Sequence, residues 1–147
     1  MSDFDRAAQL EYILDHFQNP RNSGRMPDAD VSLQGGHPGC SDLVTIYLKI
    51  RGGKIEDISF EGQGCTISQA ATSMVTEYVQ DMPVEQVREM DYQFLVDSLG
   101  EEAVKTRPRC ATLGLDTLKA TLEEYRKKQV RGELDLLSET SQKPQTG

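Results

Sequence analysis

The chain has 147 residues, a length typical of one domain, with 37% hydrophobic and 27% charged residues. Its net charge is −8 at pH 7, it has no tryptophan, and only 6% of its residues are aromatic. Because nucleic-acid binding relies on clustered Lys and Arg and on aromatic platforms, we expect no nucleic-acid partner. No apolar run approaches the roughly 20 residues of a membrane span, and the first ten residues lack the apolar segment of a secretory signal. We therefore expect no membrane partner and a cytoplasmic location.

The first predicted element is a helix over residues 5–18. Four residues at helical spacing share its apolar face: Leu10, Ile13, Leu14 and Phe17. Pro20 ends this helix because proline disfavours the helical conformation of the residue before it. Residues 25–42 are rich in glycine and proline, which predicts mostly loop with one short strand near residues 31–33.

A β-hairpin follows. Apolar and polar residues alternate over 43–50, which predicts a strand with one buried face. Gly52 and Gly53 form the turn, and residues 54–61 form the return strand.

The remaining elements are predicted to be helical. An unbroken apolar stripe predicts a helix over residues 66–80, and shorter helical segments are expected between Pro83 and Thr106. The last helix begins near Pro108 and ends at about Lys128. The predicted class is α+β, with a small antiparallel sheet of about three strands packed against helices that include the N- and C-terminal ones.

The composition changes near the C-terminus. Residues 131–147 lose the apolar periodicity and become polar, which predicts a disordered tail. We therefore expect one domain over residues 1–130.

Three widely spaced cysteines carry the clearest chemical signal: Cys40, Cys65 and Cys110. An odd, sparse set does not suit a disulfide framework. Each cysteine lies in a predicted loop or at a helix N-terminus, where the thiolate form is favoured. The residues alone leave two interpretations open. The cysteines are either three small core residues or the ligands of one shared metal site.

A metal site on three thiolates needs a fourth ligand, whether for zinc or for iron. Asp42 is the nearest candidate, two residues after Cys40, and His37 is its competitor. His16 beside the apolar stripe is expected to be a surface or packing residue.

The chain has no phosphate-binding loop, no paired His motif and no Cys-x-x-Cys motif, so nucleotide, zincin and thioredoxin functions are not indicated.

Four segments resemble the scaffold proteins of iron–sulfur cluster assembly, namely the IscU and SufU proteins and the N-terminal domain of NifU. They are Asp15 to Gly24 (DHFQNPRNSG), Pro38 to Asp42 (PGCSD), Phe60 to Ser68 (FEGQGCTIS) and Arg107 to Leu113 (RPRCATL). The resemblance extends over residues 8–126 with all three cysteines in register.

The resemblance implies a function. Such proteins accept sulfur from a cysteine desulfurase, assemble a transient [2Fe–2S] cluster and transfer it to apoproteins; they are scaffolds and carriers rather than enzymes. It also implies that the ligands, whether to the cluster or to zinc, are Cys40, Asp42, Cys65 and Cys110.

The chain also departs from each branch of the family. Ser41 replaces a glycine, Arg109 replaces the histidine before the third cysteine of IscU proteins, and Arg107 resembles SufU proteins. Arg107 is therefore a candidate partner for a thiolate or carboxylate of the site. The alternative function is a zinc-containing SufU-type sulfurtransferase that activates a cysteine desulfurase, with Cys110 as the persulfide acceptor. A structural zinc domain that binds another protein is the third possibility.

Overall fold

The computed structural model describes residues 3–36 and 42–146, with side chains described for residues 6–36 and 42–132. The elements in chain order are α1 (Asp3–Gln18), β1 (Val31–Gly36), β2 (Leu43–Arg51), β3 (Lys54–Gln63), α2 (Thr66–Val79), α3 (Val84–Arg88), α4 (Gln93–Leu99), α5 (Glu101–Thr106) and α6 (Pro108–Thr146). The predicted α+β class is confirmed.

The sheet is antiparallel, with strand order β1-β2-β3. Gly52 and Gly53 connect β2 to β3 with positive φ angles of 60° and 73°, which glycine adopts without steric cost. The alternation predicted for β2 is confirmed, since Val44, Ile46 and Leu48 are all buried. At the opposite end of the hairpin from the turn, Leu43 pairs with Gln63, so the chain enters β2 beside the point where it leaves β3.

Two long helices form the other layer of the domain. Helix α2 contacts β3, and helix α6 contacts β1, β2 and α2. Their inward faces are apolar over several turns, and the buried residues that they contribute are Ala70, Ala71, Met74, Val75, Val79, Ala111, Leu115, Leu118 and Leu122. This packing places the N-termini of α2 and α6 at the same end of the molecule as residues 42 and 63.

The connector after α1 joins three elements by hydrogen bonds. Ser73 Oγ on α2 accepts the N–H of Arg21 at 2.8 Å and lies 2.7 Å from His16 Nδ1. The N–H of Phe60 on β3 donates to the Asn22 carbonyl at 2.9 Å, and the Phe60 carbonyl accepts the N–H of Gly24 at 2.8 Å. The first motif of the resemblance therefore holds α1 and β3 against α2, and it supplies no group to the part of the cysteine site that the structure describes.

The predicted apolar face of α1 is only partly correct. Ile13 is buried, but Leu10, Leu14 and Phe17 are 57%, 38% and 39% exposed. The helix lies at the margin of the domain and makes most of its contacts with α2, so only a narrow strip of it is covered. His16 completes that strip and is fully buried, which makes it a packing residue.

Two element bounds differ from the prediction by three residues or more. Strand β1 extends to Gly36 because it pairs with β2 over six residues, a tertiary contact that the loop-like sequence does not reveal. Helix α6 continues to Thr146 instead of ending near Lys128, so the backbone of the predicted tail is helical; the division of the chain at residue 130 stays a prediction. Among the described residues, every helix is too short or too polar to cross a membrane.

Candidate metal centre

Three of the predicted ligands come together from separate elements. Asp42 precedes β2, Cys65 is the N-cap residue of α2, and Cys110 lies in the first turn of α6. One ligand atom from each lies within 4.8 Å of the other two. Cys40, like the alternative ligand His37, falls outside the described residues, so the fourth ligand stays a prediction.

Hydrogen bonds hold the Asp42 carboxylate at the start of α2. Its Oδ1 accepts the backbone N–H of Cys65 at 2.8 Å and lies 3.4 Å from Ser68 Oγ. Its Oδ2 accepts the thiol of Cys110 at 2.9 Å. A carboxylate at this position also benefits from the positive end of the α2 dipole.

Gly64 makes room for that carboxylate. A Cβ atom at residue 64 would overlap Asp42 Oδ1 and lie 2.7 Å from Ser68 Oγ, and the φ angle of +150° is one that other residues rarely adopt. The glycine next to the second cysteine therefore allows the loop and the carboxylate to approach closely.

The surroundings of Asp42 favour its ionised form. The hydrogen bond from Cys110 lowers its pKa most, and although burial opposes this, the N–H of Cys65 and the more distant charge of Arg107 lower it further. The carboxylate is thus available as a metal ligand at neutral pH.

The two thiols have opposite pKa shifts. Burial raises the pKa of Cys65, but hydrogen bonds from the Ser68 N–H, Cys110 and the Ser68 hydroxyl outweigh it, and the net pKa is lowered. Burial, together with hydrogen bonds to Asp42 and Cys65, raises the pKa of Cys110 to about 12. Cys65 therefore loses its proton at a lower pH than Cys110, and a metal ion that binds both sulfurs must displace the Cys110 proton.

The chemistry of this donor set fits zinc or iron. Thiolates are good ligands for zinc and for iron, and a carboxylate oxygen can serve as a further ligand to either metal. The two sulfurs and one carboxylate leave the fourth position of a tetrahedral ion open, and Cys40 stays the predicted ligand for that position.

The side chains of the two arginines near Cys110 in sequence form no hydrogen bond or ion pair with the ligands among the described residues. Arg107 is exposed, and among the described residues it forms no ion pair with Asp42 or a cysteine, although its charge acts on Asp42 from a distance. Arg109 is also exposed.

Sequence reasoning overlooked one of the residues that support the ligands. Ser68 and Gly64 lie inside the second cysteine motif, and Ser68 has no role in the prediction from sequence. Its signal was available, since Ser68 is three residues after Cys65 and so returns to the same face of α2.

The fold and site together define a small α+β protein with a candidate centre for a thiophilic metal ion. More specifically, the chain belongs to the family described as NifU-like N terminal domain, whose model matches residues 8–132.

Named relatives fall into two groups. The chain is 36% identical over 127 residues to the iron–sulfur cluster assembly scaffold protein IscU 1 of Archaeoglobus fulgidus, covering 86% of this chain and 81% of the relative. It is also 36% identical over 92 residues to the zinc-dependent sulfurtransferase SufU of Bacillus subtilis, covering 63% of this chain and 62% of the relative. Among solved structures, an N-terminal NifU-like protein from Brucella abortus superposes with a TM-score of 0.69 over 80% of this chain and 94% of that chain; at 21% identity this likeness shows the fold alone.

Proposed function

We propose that this protein is an assembly scaffold for iron–sulfur clusters. The observation that carries the proposal is the convergence of Asp42, Cys65 and Cys110, whose ligand atoms lie within 4.8 Å of one another although they come from three separate elements. With Cys40 these residues would bind a transient [2Fe–2S] cluster, which is the product that the protein passes on. The scaffold names of its relatives support this function.

A scaffold of this kind needs two classes of partner. One supplies sulfur, which we assign to a cysteine desulfurase, and the other comprises apoproteins that accept the finished cluster. The protein itself is then a carrier and not an enzyme.

Anaerobic reconstitution tests the scaffold function. The protein is incubated with ferrous iron and sulfide, visible absorbance and iron content are measured, and transfer to an apo-ferredoxin is followed. We expect a labile two-iron chromophore that moves to the acceptor. Cys65→Ser should abolish it, whereas Ser73→Ala, which alters a buried residue of the same helix away from the site, should retain it.

One observation favours a second candidate, a zinc-containing sulfurtransferase that activates a cysteine desulfurase. A tetrahedral zinc ion with bonds of about 2.3 Å holds its ligand atoms about 4 Å apart. The described ligand atoms lie within 4.8 Å of one another, so a small adjustment would bring them to this spacing. In this alternative Cys110 accepts the sulfur: its thiolate, once free of the metal, attacks the terminal sulfur of the donor persulfide, and the donor cysteine leaves as a thiolate.

The same preparation distinguishes the two candidates. Bound zinc that resists exchange, absence of a cluster, and faster turnover of an added desulfurase would support the sulfurtransferase and contradict the scaffold. If neither a cluster nor zinc is bound, both proposals fail.

A further inference from the structure

The two oxygens of the Asp42 carboxylate have different surroundings. Oδ1 is directed toward the start of α2, where the N–H of Cys65 donates to it at 2.8 Å and Ser68 Oγ lies 3.4 Å away. Oδ2 is directed toward Cys110 Sγ at 2.9 Å, so it is the oxygen that shares the space between the ligands.

Ser68 is the one side chain that approaches Oδ1 among the hydrogen bonds of the described residues. It is 1% exposed, and its hydroxyl lies 3.0 Å from the Cys65 carbonyl as well as 3.4 Å from Oδ1. The hydroxyl has one proton to donate, and the Cys65 carbonyl, the Cys65 thiol and Asp42 Oδ1 compete for it. Since the Cys65 carbonyl already accepts the N–H of Gln69 at 3.2 Å, the hydroxyl can turn to Asp42 without leaving that carbonyl unpaired.

Gly64 restricts the carboxylate from the other side. The Asp42 carboxylate occupies the volume where any other residue would place its Cβ, in contact range of both Oδ1 and Cγ. Rotation of the carboxylate that brought both oxygens to a metal ion would break the bond to Cys65 and move Oδ1 away from Ser68.

We propose that Ser68 is a positioning residue that makes Asp42 a ligand through Oδ2 alone. Together with the Cys65 N–H it retains Oδ1, so that the carboxylate occupies one coordination position of the ion and not two. The inference rests on the proposed function, in which Asp42 binds the metal. Groups that orient ligands in this way typically contribute about 10- to 100-fold to metal affinity.

Cobalt(II) substitution tests this role, because the visible d–d bands are intense for a four-coordinate ion and weaken when a fifth ligand binds. The full chain is titrated anaerobically with cobalt(II), and the thiolate-to-cobalt charge-transfer band is recorded as well. For Ser68→Ala we expect about tenfold weaker binding and a weaker d–d band at saturation. Ser68→Thr keeps the hydroxyl and should restore both.

Ser73→Ala is the matched control, since it makes the same truncation at a fully buried position of the same helix. It should lower the free energy of unfolding without changing the cobalt spectrum. An unchanged d–d band and affinity in Ser68→Ala would overturn the inference, as would failure of Ser68→Thr to restore them.

The failure of the proposed function has a different signature. If the unmodified protein shows no thiolate-to-cobalt band, the metal site itself is wrong. If that band is present and Ser68→Ala leaves the spectrum unchanged, only the positioning role is wrong.

Discussion

At the scale of single residues, the thiols of Cys65 and Cys110 differ in acidity. Cys65 lies at the N-terminus of α2, where backbone N–H groups stabilise its thiolate. Cys110 keeps its proton because it is buried and donates to Asp42. The two cysteines should therefore differ in reactivity although both are half-buried.

Alkylation of the metal-free protein checks this difference. We expect iodoacetamide to modify Cys65 well before Cys110 at pH 7.5, because the thiolate is the nucleophile and the pKa of Cys110 is raised to about 12. Peptide mass spectrometry gives the two rates. In Asp42→Ala the Cys110 rate should rise, since one cause of its high pKa is removed. Equal rates in the unmodified protein would contradict the prediction.

Asp42→Ala should also slow release of the cluster. The carboxylate stabilises Cys110 as a free thiol and so favours its departure from the metal. A hydrogen bond to a charged group contributes about 1.5–3 kcal/mol, so we expect transfer to an apo-ferredoxin to slow by about 10- to 150-fold. Asp57→Ala, which removes the same charge from the other end of the hairpin, is the control. Equal transfer rates for both variants would show that Asp42 has no such role.

The sequence identifies Asp42, Cys65 and Cys110 as candidates because carboxylates and thiolates are common metal ligands. It could not assign Oδ1 and Oδ2 of Asp42 to different partners, or the proton to Cys110, because both depend on distances between segments that are far apart in the chain. The sequence shows that Ser68 lies at helical spacing from Cys65, but it does not show the approach of Ser68 to Asp42, which is 26 residues away in the chain. The roles of Cys40, Asp42, Cys65 and Cys110 as ligands stay predictions.

At the scale of elements, the close approach of α2 and α6 holds Cys65 near Cys110. Gly114 of α6 lies against Thr72 of α2, and a Cβ at residue 114 would come within 2.9 Å of the Thr72 Cα atom. The two helices are therefore closer at this point than any other residue would allow.

Two glycine variants of α6 should have opposite effects on stability. Gly114→Ala should lower the free energy of unfolding by about 1–2 kcal/mol, because the overpacking cost exceeds the gain of about 1 kcal/mol in helix propensity. Gly132→Ala meets nothing within 4 Å and should raise it by about 0.5–1 kcal/mol. Urea unfolding measures both. A Gly114→Ala variant as stable as the unmodified protein would refute the close contact.

The predicted elements differ in accuracy for a physical reason. The hairpin was predicted well because alternating apolar and polar residues, followed by two glycines, are typical of a strand with one buried face that leads into a tight turn. The face of α1 was predicted only partly because helical periodicity identifies apolar residues without showing how much of the helix a neighbour covers. Leu10, Leu14 and Phe17 have the spacing of core residues and are exposed.

At the scale of the whole molecule, the site depends on contacts that span most of the chain. Residues 42 and 64 become neighbours through the register of the hairpin, which local sequence supports. Cys110 joins them only because α6 packs across α2 and the sheet, and no local pattern indicates that arrangement. The resemblance to a known family, and not the periodicity, supplied this part of the prediction.

Stability of the whole domain should fall as the pH falls below about 6.5, because of His16. The imidazole is fully buried against α2, and its Nε2 has no hydrogen-bond partner among the described residues. Burial, assisted by the charge of Arg21, lowers its pKa below the ordinary value of 6.5, although Glu77 opposes the shift. The unfolded chain therefore takes up a proton at a higher pH than the folded one, so the stability present above pH 6.5 is lost progressively below it.

Urea unfolding between pH 7.5 and 5 measures the free energy of unfolding against pH. It should fall with falling pH in the unmodified protein and in His37→Gln, which removes the other histidine, and should fall less steeply in His16→Gln. A slope that His16→Gln leaves intact would assign the acid sensitivity to other groups.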